Sequence, residues 1–350
     1  MRIGLYGLPT AGKTFIMDKI DFMEVIIGSK LLRQYDSDFD QRDEAGRKKD
    51  RKAVASLMLS KEEFIMDGHY AFGDEIAFTE DDGYIYDAFL YLYVDPQILK
   101  ERMGVSAKNK QYVKYDIAGW QNREIKGLRE YCHKHNKDFY VLDNPPKNYF
   151  EDVSDVIKFI RLIKDGYSCV SYARSCVDDI LKSSDGKAII LLDGDKTLTV
   201  EDSSNCVFGY TTHLYDGNFY TGYQTWKQGI EFQKYSIPDT TEIPVHFNER
   251  LLSQLGSNAY ILTSGHEKIW HHISTYLQIP FFFGIQMSAE TKYFITKFLQ
   301  EAGKTITAYG DGMNDYFMMK QADVGYLVTK RDGTVSRSLI NQDLEGLIFV

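Results

Sequence analysis

Leu191-Leu192-Asp193-Gly194-Asp195-Lys196-Thr197-Leu198-Thr199 is the stretch that decides how this 350-residue chain is read. Four apolar residues, Ile189 to Leu192, run directly into two aspartates one residue apart. A short continuous apolar run with polar residues at its carboxyl end is the pattern of a parallel strand buried on both faces. In open α/β sheets, ligands bind beyond that end. Carboxylates at i and i+2 repel one another there unless a cation lies between them. Alone, the stretch also fits an acidic turn after a core strand.

A second stretch separates the two readings. Ile306 to Asp315, ITAYGDGMND, is another apolar run ending in acids, Asp311 and Asp315, with Gly310 and Gly312 allowing a sharp turn. Two strand ends carrying these acids form an oxygen-donor site suited to Mg²⁺. Between them in sequence come Thr263-Ser264-Gly265, preceded by apolar Tyr260 to Leu262, and then Lys292. A nucleophilic carboxylate, a second acid, a hydroxyl, a lysine and metal-binding acids therefore follow one another along the chain.

This constellation resembles the haloacid dehalogenase (HAD) superfamily of phosphohydrolases. The DxDx[TV] motif is Asp193 to Thr197, and GDGxNDxxM is Gly310 to Met318, the latter similar to the phosphoserine-phosphatase-like branch. The resemblance implies a Rossmann-like parallel sheet and a phosphoaspartyl intermediate. Asp193 would attack phosphorus, and Asp195 would serve as general acid and then base. Ser264, or its neighbour Thr263, would bond the phosphoryl oxygens, and Lys292 would neutralise charge. Mg²⁺ would be held by Asp193, the carbonyl of Asp195, and Asp311, with Asp315 ordering the surrounding shell. Lys292 is preferred to Lys297 on spacing. The resemblance also implies an inserted cap at about 200–255. Its aromatics, Phe208, Tyr210, Tyr215, Phe219, Tyr220, Tyr223, Trp226, Phe232 and Tyr235, are expected to form its own small core. The alternative is that a few of them stack on a substrate ring.

The chain opens with a short apolar strand, Met1 to Tyr6, followed by Gly7-Leu8-Pro9-Thr10-Ala11-Gly12-Lys13-Thr14, which fits GxxxxGK[ST]. Gly7 and Gly12 let backbone N–H groups wrap a phosphate, Lys13 adds a cation, and the Thr14 hydroxyl holds Mg²⁺. A following helix, marked by Phe15, Ile16 and Ile20, would offer its positive end. Apolar runs ending at Asp67 and Asp95 come next, then a helix from about 118 to 135 and a last strand, Phe139 to Leu142. This order resembles the P-loop kinases of the nucleoside-monophosphate, shikimate and polynucleotide-kinase group.

That resemblance implies ATP as phosphoryl donor and a mobile lid bearing cations. Arg102 and Arg123 are the candidates, with Lys108, Lys110 and Lys114 as weaker ones. Acceptor contacts are expected within Tyr35 to Arg42. Asp38 is favoured for acceptor work and Asp67 for the metal side, with Asp67 as base the alternative. The run Arg42 to Lys52 reads as a solvated helix face.

The expected fold class is α/β, two doubly wound parallel-sheet domains. Residues 1–165 would be the P-loop kinase domain and 166–350 the HAD-like phosphatase domain. A net charge of −9 argues against broad affinity for nucleic acid or anionic membrane. The four cysteines form no CxxC pair, which suits a reducing compartment. No apolar run reaches the roughly 18 residues of a membrane span. An N-terminal strand that feeds a motif is no signal peptide, so a cytoplasmic location is expected. His266 and His271 are one residue too far apart for HExxH.

Three functions remain open. One is a bifunctional enzyme whose halves act on a small phosphorylated metabolite or nucleotide. Another is a polynucleotide kinase-phosphatase acting on nucleic-acid ends, which the acidic charge and the GDGxNDxxM stretch weigh against. The last is a nucleotide-sensing module regulating a phosphatase. No feature of the sequence sets the oligomeric state.

Overall fold

Two parallel sheets organise the molecule. The computed structural model describes residues 1–143, 153–209, 219–237 and 243–350. Contacts divide these between two units, Met1–Tyr167 and Ser168–Val350. Tyr210 and Tyr215 of the expected cap lie outside the described residues.

In the first unit β1 (Arg2–Tyr6) leads through the glycine loop into α1 (Lys13–Met17), followed by β2 (Val25–Ile26), α2 (Gly28–Tyr35), α3 (Glu44–Met58) and β3 (Phe64–Asp67). A small hairpin, β4 (Ala71–Phe72) and β5 (Glu75–Ile76), precedes α4 (Glu80–Tyr84), β6 (Ala88–Tyr93), α5 (Pro96–Val105), α6 (Ile117–His135), β7 (Asp138–Asp143) and α7 (Ser154–Lys164). The sheet order is β2-β3-β1-β6-β7, with every pairing parallel. The strand interiors are apolar on both faces: Ile3, Leu5, Phe64, Ile65, Phe89, Leu90, Phe139 and Val141 are fully buried. Strand order reverses at β1, so the glycine loop leaves the sheet at its switch point. Register sets Leu5 opposite Asp67, which brings that acid beside the start of the loop.

The second unit begins with α8 (Cys169–Ser183) and β8 (Ala188–Leu192). Then come α9 (Ser203–Phe208), α10 (Gly222–Phe232), α11 (Glu249–Leu252), β9 (Ala259–Thr263), α12 (Glu267–Leu277) and β10 (Phe281–Phe283). The unit closes with α13 (Ala289–Glu301), β11 (Thr305–Gly310), α14 (Met313–Gln321), β12 (Val324–Leu327) and β13 (Ile348–Phe349). Its sheet order, β10-β9-β8-β11-β12-β13, is all parallel and reverses between β8 and β11.

Side-chain alternation explains why these strands are continuously apolar. Ile189, Leu191, Tyr260, Leu262, Ile306 and Ala308 enter one core with α8, α13 and α14. Leu192, Ala259, Ile261 and Tyr309 point the other way, into a core with Leu251, Trp270 and Ile273. Among the described aromatics of the expected cap, Tyr223 contacts Trp226 and Phe208 contacts Tyr235. Tyr220 packs against the first core and Phe208 against the second.

Candidate active sites

Two constellations of reactive side chains lie at the carboxyl ends of the two sheets. In the second unit, Tyr309 pairs with Leu192, and the Asp193 N–H donates to the Tyr309 carbonyl at 2.9 Å. Asp193 and Asp311 therefore emerge from adjacent strands. After β8 the chain makes one wide turn over Gly194–Leu198, closed by the Thr199 N–H to the Gly194 carbonyl at 3.2 Å. Lys196 is left-handed there, with φ 62°. Single wide turns of this kind are frequent at functional sites. The turn directs Asp195 back toward α9, whose Ser203 N–H donates to Asp195 Oδ1 at 2.7 Å.

Lys292, in the first turn of α13, is fully buried. It donates to Asp193 Oδ1 at 2.6 Å and to Asp315 Oδ1 at 2.7 Å. Asp315 comes from the first turn of α14, so close to β11 that a Cβ on Gly310 would lie 2.3 Å from its own Cβ. Only glycine allows that approach. Oxygens of Asp193, Asp311 and Asp315 all lie within 4.8 Å of one another, the one such group found among the described residues.

Electrostatics follow from this crowding. Burial, then Asp202, pushes the Asp195 carboxyl up to about 7. Burial, then Asp193, does the same to Asp315, also to about 7. Burial together with Asp193 and Asp315 holds Asp311 well above the ordinary carboxylate range. Burial works against the charge of Lys292, but Asp193 and Asp315 outweigh it and keep the ammonium protonated. Converging hard oxygen donors that disfavour one another's charge fit a small dication such as Mg²⁺.

The Thr263 hydroxyl accepts the Gly265 N–H at 3.0 Å. Asn314 Nδ2 donates weakly to Ser264 Oγ at 3.4 Å. Lys297 lies away from the acids, 4.0 Å from Glu301.

In the first unit Thr10 and Gly12 take positive φ, 66° and 100°. Lys13 is buried, and its ammonium donates to the carbonyls of Gly7 and Leu8 in its own loop. Burial pulls it down to about 8, against the pull of Asp67 and Glu124. The expected helix through Ile20 stops at Met17, because i→i+3 bonds at Lys19 and Ile20 tighten the chain. A five-residue helix contributes little dipole. Thr14 is exposed. Glu124 of α6 is fully buried and accepts from Ala71 N–H and Trp120 Nε1, each at 3.0 Å. Burial pushes its carboxyl up to about 7. Nothing in its sequence neighbourhood marks this glutamate.

Beside the loop lies a cavity of about 620 Å³. Asp67 lines it, and its Oδ1 accepts the Gly28 N–H at 2.7 Å. The other expected residues of this half lie as follows. Asp38, at an exposed turn, does not line the cavity; Asp40 does, paired with Arg33 at 2.7 Å. Arg102 and Arg123 do not line it either. Arg123 reaches instead to the β4–β5 turn, 3.3 Å from the Gly73 carbonyl and 3.4 Å from Asp74. Of the lid lysines, Lys108 lines the cavity, whereas Lys110 and Lys114 do not. The run read as a solvated face places Glu44, Arg47, Lys48 and Arg51 on the cavity wall.

No family model matches the chain, and no curated protein matches it. Several solved structures are similar to parts of it. Shikimate kinase from Acinetobacter baumannii in complex with shikimate is 15% identical, covers 47% of this chain and 93% of its own, and has a TM-score of 0.33. A HAD family hydrolase from Salmonella enterica subsp. enterica serovar Typhi is 15% identical, covers 46% of this chain and 72% of its own, and has a TM-score of 0.33. The catalytic domain of the CPx-ATPase CopB-B is 16% identical, covers 47% of this chain and 84% of its own, and has a TM-score of 0.26.

Proposed function

We propose that the chain joins two phosphoryl-transfer activities: an ATP-dependent small-molecule or nucleotide kinase in the first unit and a Mg²⁺-dependent phosphomonoesterase in the second. The observation that carries this reading is the convergence of Asp193, Asp311 and Asp315 with Lys292 at two adjacent strand ends.

In the second unit the Asp193 carboxylate attacks phosphorus, forming an Asp193–phosphorus ester while the bond to the leaving oxygen breaks. Asp195 gives that oxygen its proton. Burial supports this role, since it keeps the acid protonatable near neutral pH. Asp195 then takes a proton from the water that cleaves the ester, and Asp193 is regenerated. Lys292 fixes the orientation of Asp193 throughout, and Ser264 would bond a phosphoryl oxygen. Held by Asp193, Asp311 and the Asp195 carbonyl, Mg²⁺ would supply positive charge opposite the phosphoryl oxygens.

In the first unit the glycine loop and Lys13 would hold the nucleotide phosphates. Asp67, beside both the loop and the cavity, would accept the acceptor hydroxyl's proton. The capture of Lys13 by its own loop favours one second reading, a nucleotide-sensing module.

Purified chain carrying Asp193→Asn, incubated with Mg²⁺ and [γ-³²P]ATP, tests the kinase half against small acceptors and a 5′-hydroxyl oligonucleotide. Label on a small acceptor is expected. Label on the oligonucleotide moves the assignment to end healing, and bound ATP without transfer moves it to sensing. Unchanged hydrolysis of p-nitrophenyl phosphate by the same variant would sink the phosphatase reading.

A further inference from the structure

Trp270 is a core residue with a feature that packing does not explain. It stands one turn into α12, fully buried, in the core that takes Leu192 from β8 and Ala259 and Ile261 from β9. Its indole closes against two glycines, each on the loop that leaves one of those strands. A Cβ on Gly194 would lie 2.4 Å from Trp270 Cζ2, and a Cβ on Gly265 would lie 2.2 Å from Trp270 Nε1. Neither glycine has a positive φ, so space rather than backbone angle demands it. One ring thus touches both the turn that carries Asp195 and the loop that carries Ser264.

The indole N–H is buried and has no acceptor among the described residues. A buried donor left unmade is destabilising, and a phenylalanine would fill most of the same space without one. The surroundings of the donor supply a reason for it. The point where Gly265 would carry a Cβ is 2.2 Å from Trp270 Nε1 and 3.0 Å from Asp195 Oδ2. The N–H and that oxygen are neighbours across the glycine, close but not bonded. Asp195 Oδ1 is committed to the Ser203 N–H at 2.7 Å. The carboxyl group is therefore hinged at one oxygen, and only a short shift about that hinge separates the other from the indole.

We infer that Trp270 is the positioning residue for Asp195: its indole N–H receives Oδ2 as a carboxylate oxygen, and its ring, wedged against Gly194, holds the turn that aims the acid. The inference rests on the phosphomonoesterase reading of this unit for the reaction, but not for the contact itself. As the ester bond to the leaving oxygen breaks, the Oδ2–H proton passes to that oxygen, and the freed Oδ2 takes the indole N–H. Oδ2 then leaves the indole and accepts a proton from the water that cleaves the Asp193–phosphorus ester. A neutral donor suits both steps, because it receives the carboxylate without adding a charge that would hold it there.

Trp270→Phe keeps a ring and removes the donor. Full-length chain with Mg²⁺ is assayed on p-nitrophenyl phosphate, whose leaving group departs with little help, and on phenyl phosphate, whose leaving group needs the proton. The variant is expected to lower kcat by about tenfold on phenyl phosphate and by less than about threefold on p-nitrophenyl phosphate, with both KM values unchanged. In an Asp195→Asn background the same substitution should add no further loss, because it acts through that carboxylate. No loss, equal losses on both esters, or an undiminished loss in the Asp195→Asn background overturns the inference.

Should the chain hydrolyse neither ester, the phosphomonoesterase reading falls, and magnetic resonance decides the contact separately; it decides equally if Trp270→Phe does not fold. In chain labelled with [¹⁵N]tryptophan, the Trp270 indole N–H is the cross-peak kept in both Trp120→Phe and Trp226→Phe. Asp195→Ala is expected to move that cross-peak upfield, as a donor losing its acceptor does, and to leave the Trp120 cross-peak in place. A Trp270 cross-peak that does not move overturns the inference.

Discussion

The two candidate sites are built on opposite plans. In the second unit the reactive groups are held by the sheet itself: Asp193 and Asp311 end neighbouring strands, and a fully buried Lys292 locks Asp193 to Asp315. In the first unit the strand ends deliver the glycine loop and Asp67, whereas side chains of α2 and α3 line an open cavity. On the proposed reading, chemistry at one bond would be fixed by backbone geometry and selection among ligands by helix faces.

The largest expected effect tests the rigid plan. Asp193→Asn keeps the shape of the site and removes the nucleophile, so phosphomonoester hydrolysis should fall by about 10⁴-fold. Steady-state rates on p-nitrophenyl phosphate, with unchanged circular dichroism, check this.

Lys292→Ala should be almost as severe, but in stability. It strands two buried carboxylates, a change that costs about 3–5 kcal/mol, and urea unfolding of the second unit should show it. A loss within the range of an exposed ion pair would mean that Asp193 and Asp315 are not held as described.

Lys13→Ala sharpens the contrast. Phosphoryl transfer from ATP should drop by about 10²–10³-fold, while hydrolysis by the second unit is unchanged. Parallel loss of both activities would end the view that the two sites run on separate machinery.

A fourth prediction concerns pH. Glu124 in the folded unit titrates near 7, above its ordinary 4.5, so the folded form holds the extra proton. Its contribution is fully present below the ordinary value and is lost as pH rises through about 7, a swing on the order of 3 kcal/mol. Glu124→Gln should flatten the stability profile of the first unit across that window, as read by denaturant melts at pH 5 to 8.

The smallest effect is expected at Arg123. Its pairing with Asp74 is exposed on both sides, so Arg123→Ala should change stability by less than about 1 kcal/mol. Its distance from the cavity should leave phosphoryl transfer intact. A collapse of transfer in this variant would restore it as a lid arginine.

The same contrast explains what could be read from the sequence. Acids two and four positions apart at the ends of apolar runs carry their own coordinates, because strand ends in a parallel sheet are neighbours. Asp193, Lys292, Asp311 and Asp315 therefore converge although the first and the last are 122 positions apart. The cavity had no such signature. Asp38 and Asp40 differ by two positions in an irregular turn, and only the packed structure shows which one faces inward. The stripe Arg47, Lys48, Arg51 did leave a trace, being in phase with Val54, Ala55 and Met58, but its density of charge hid that phase. The two-residue β2 is too short for any periodicity to register.

Lys292 has one more consequence. It reaches back 99 positions to Asp193 and forward 23 to Asp315. The nucleophile is thus poised only once segments from the beginning, middle and end of this unit have all come home. A nascent, clipped or misassembled chain carries an aspartate in the right place along the polymer but no reagent. On the phosphatase reading, phosphate release would then gauge completed folding in any preparation.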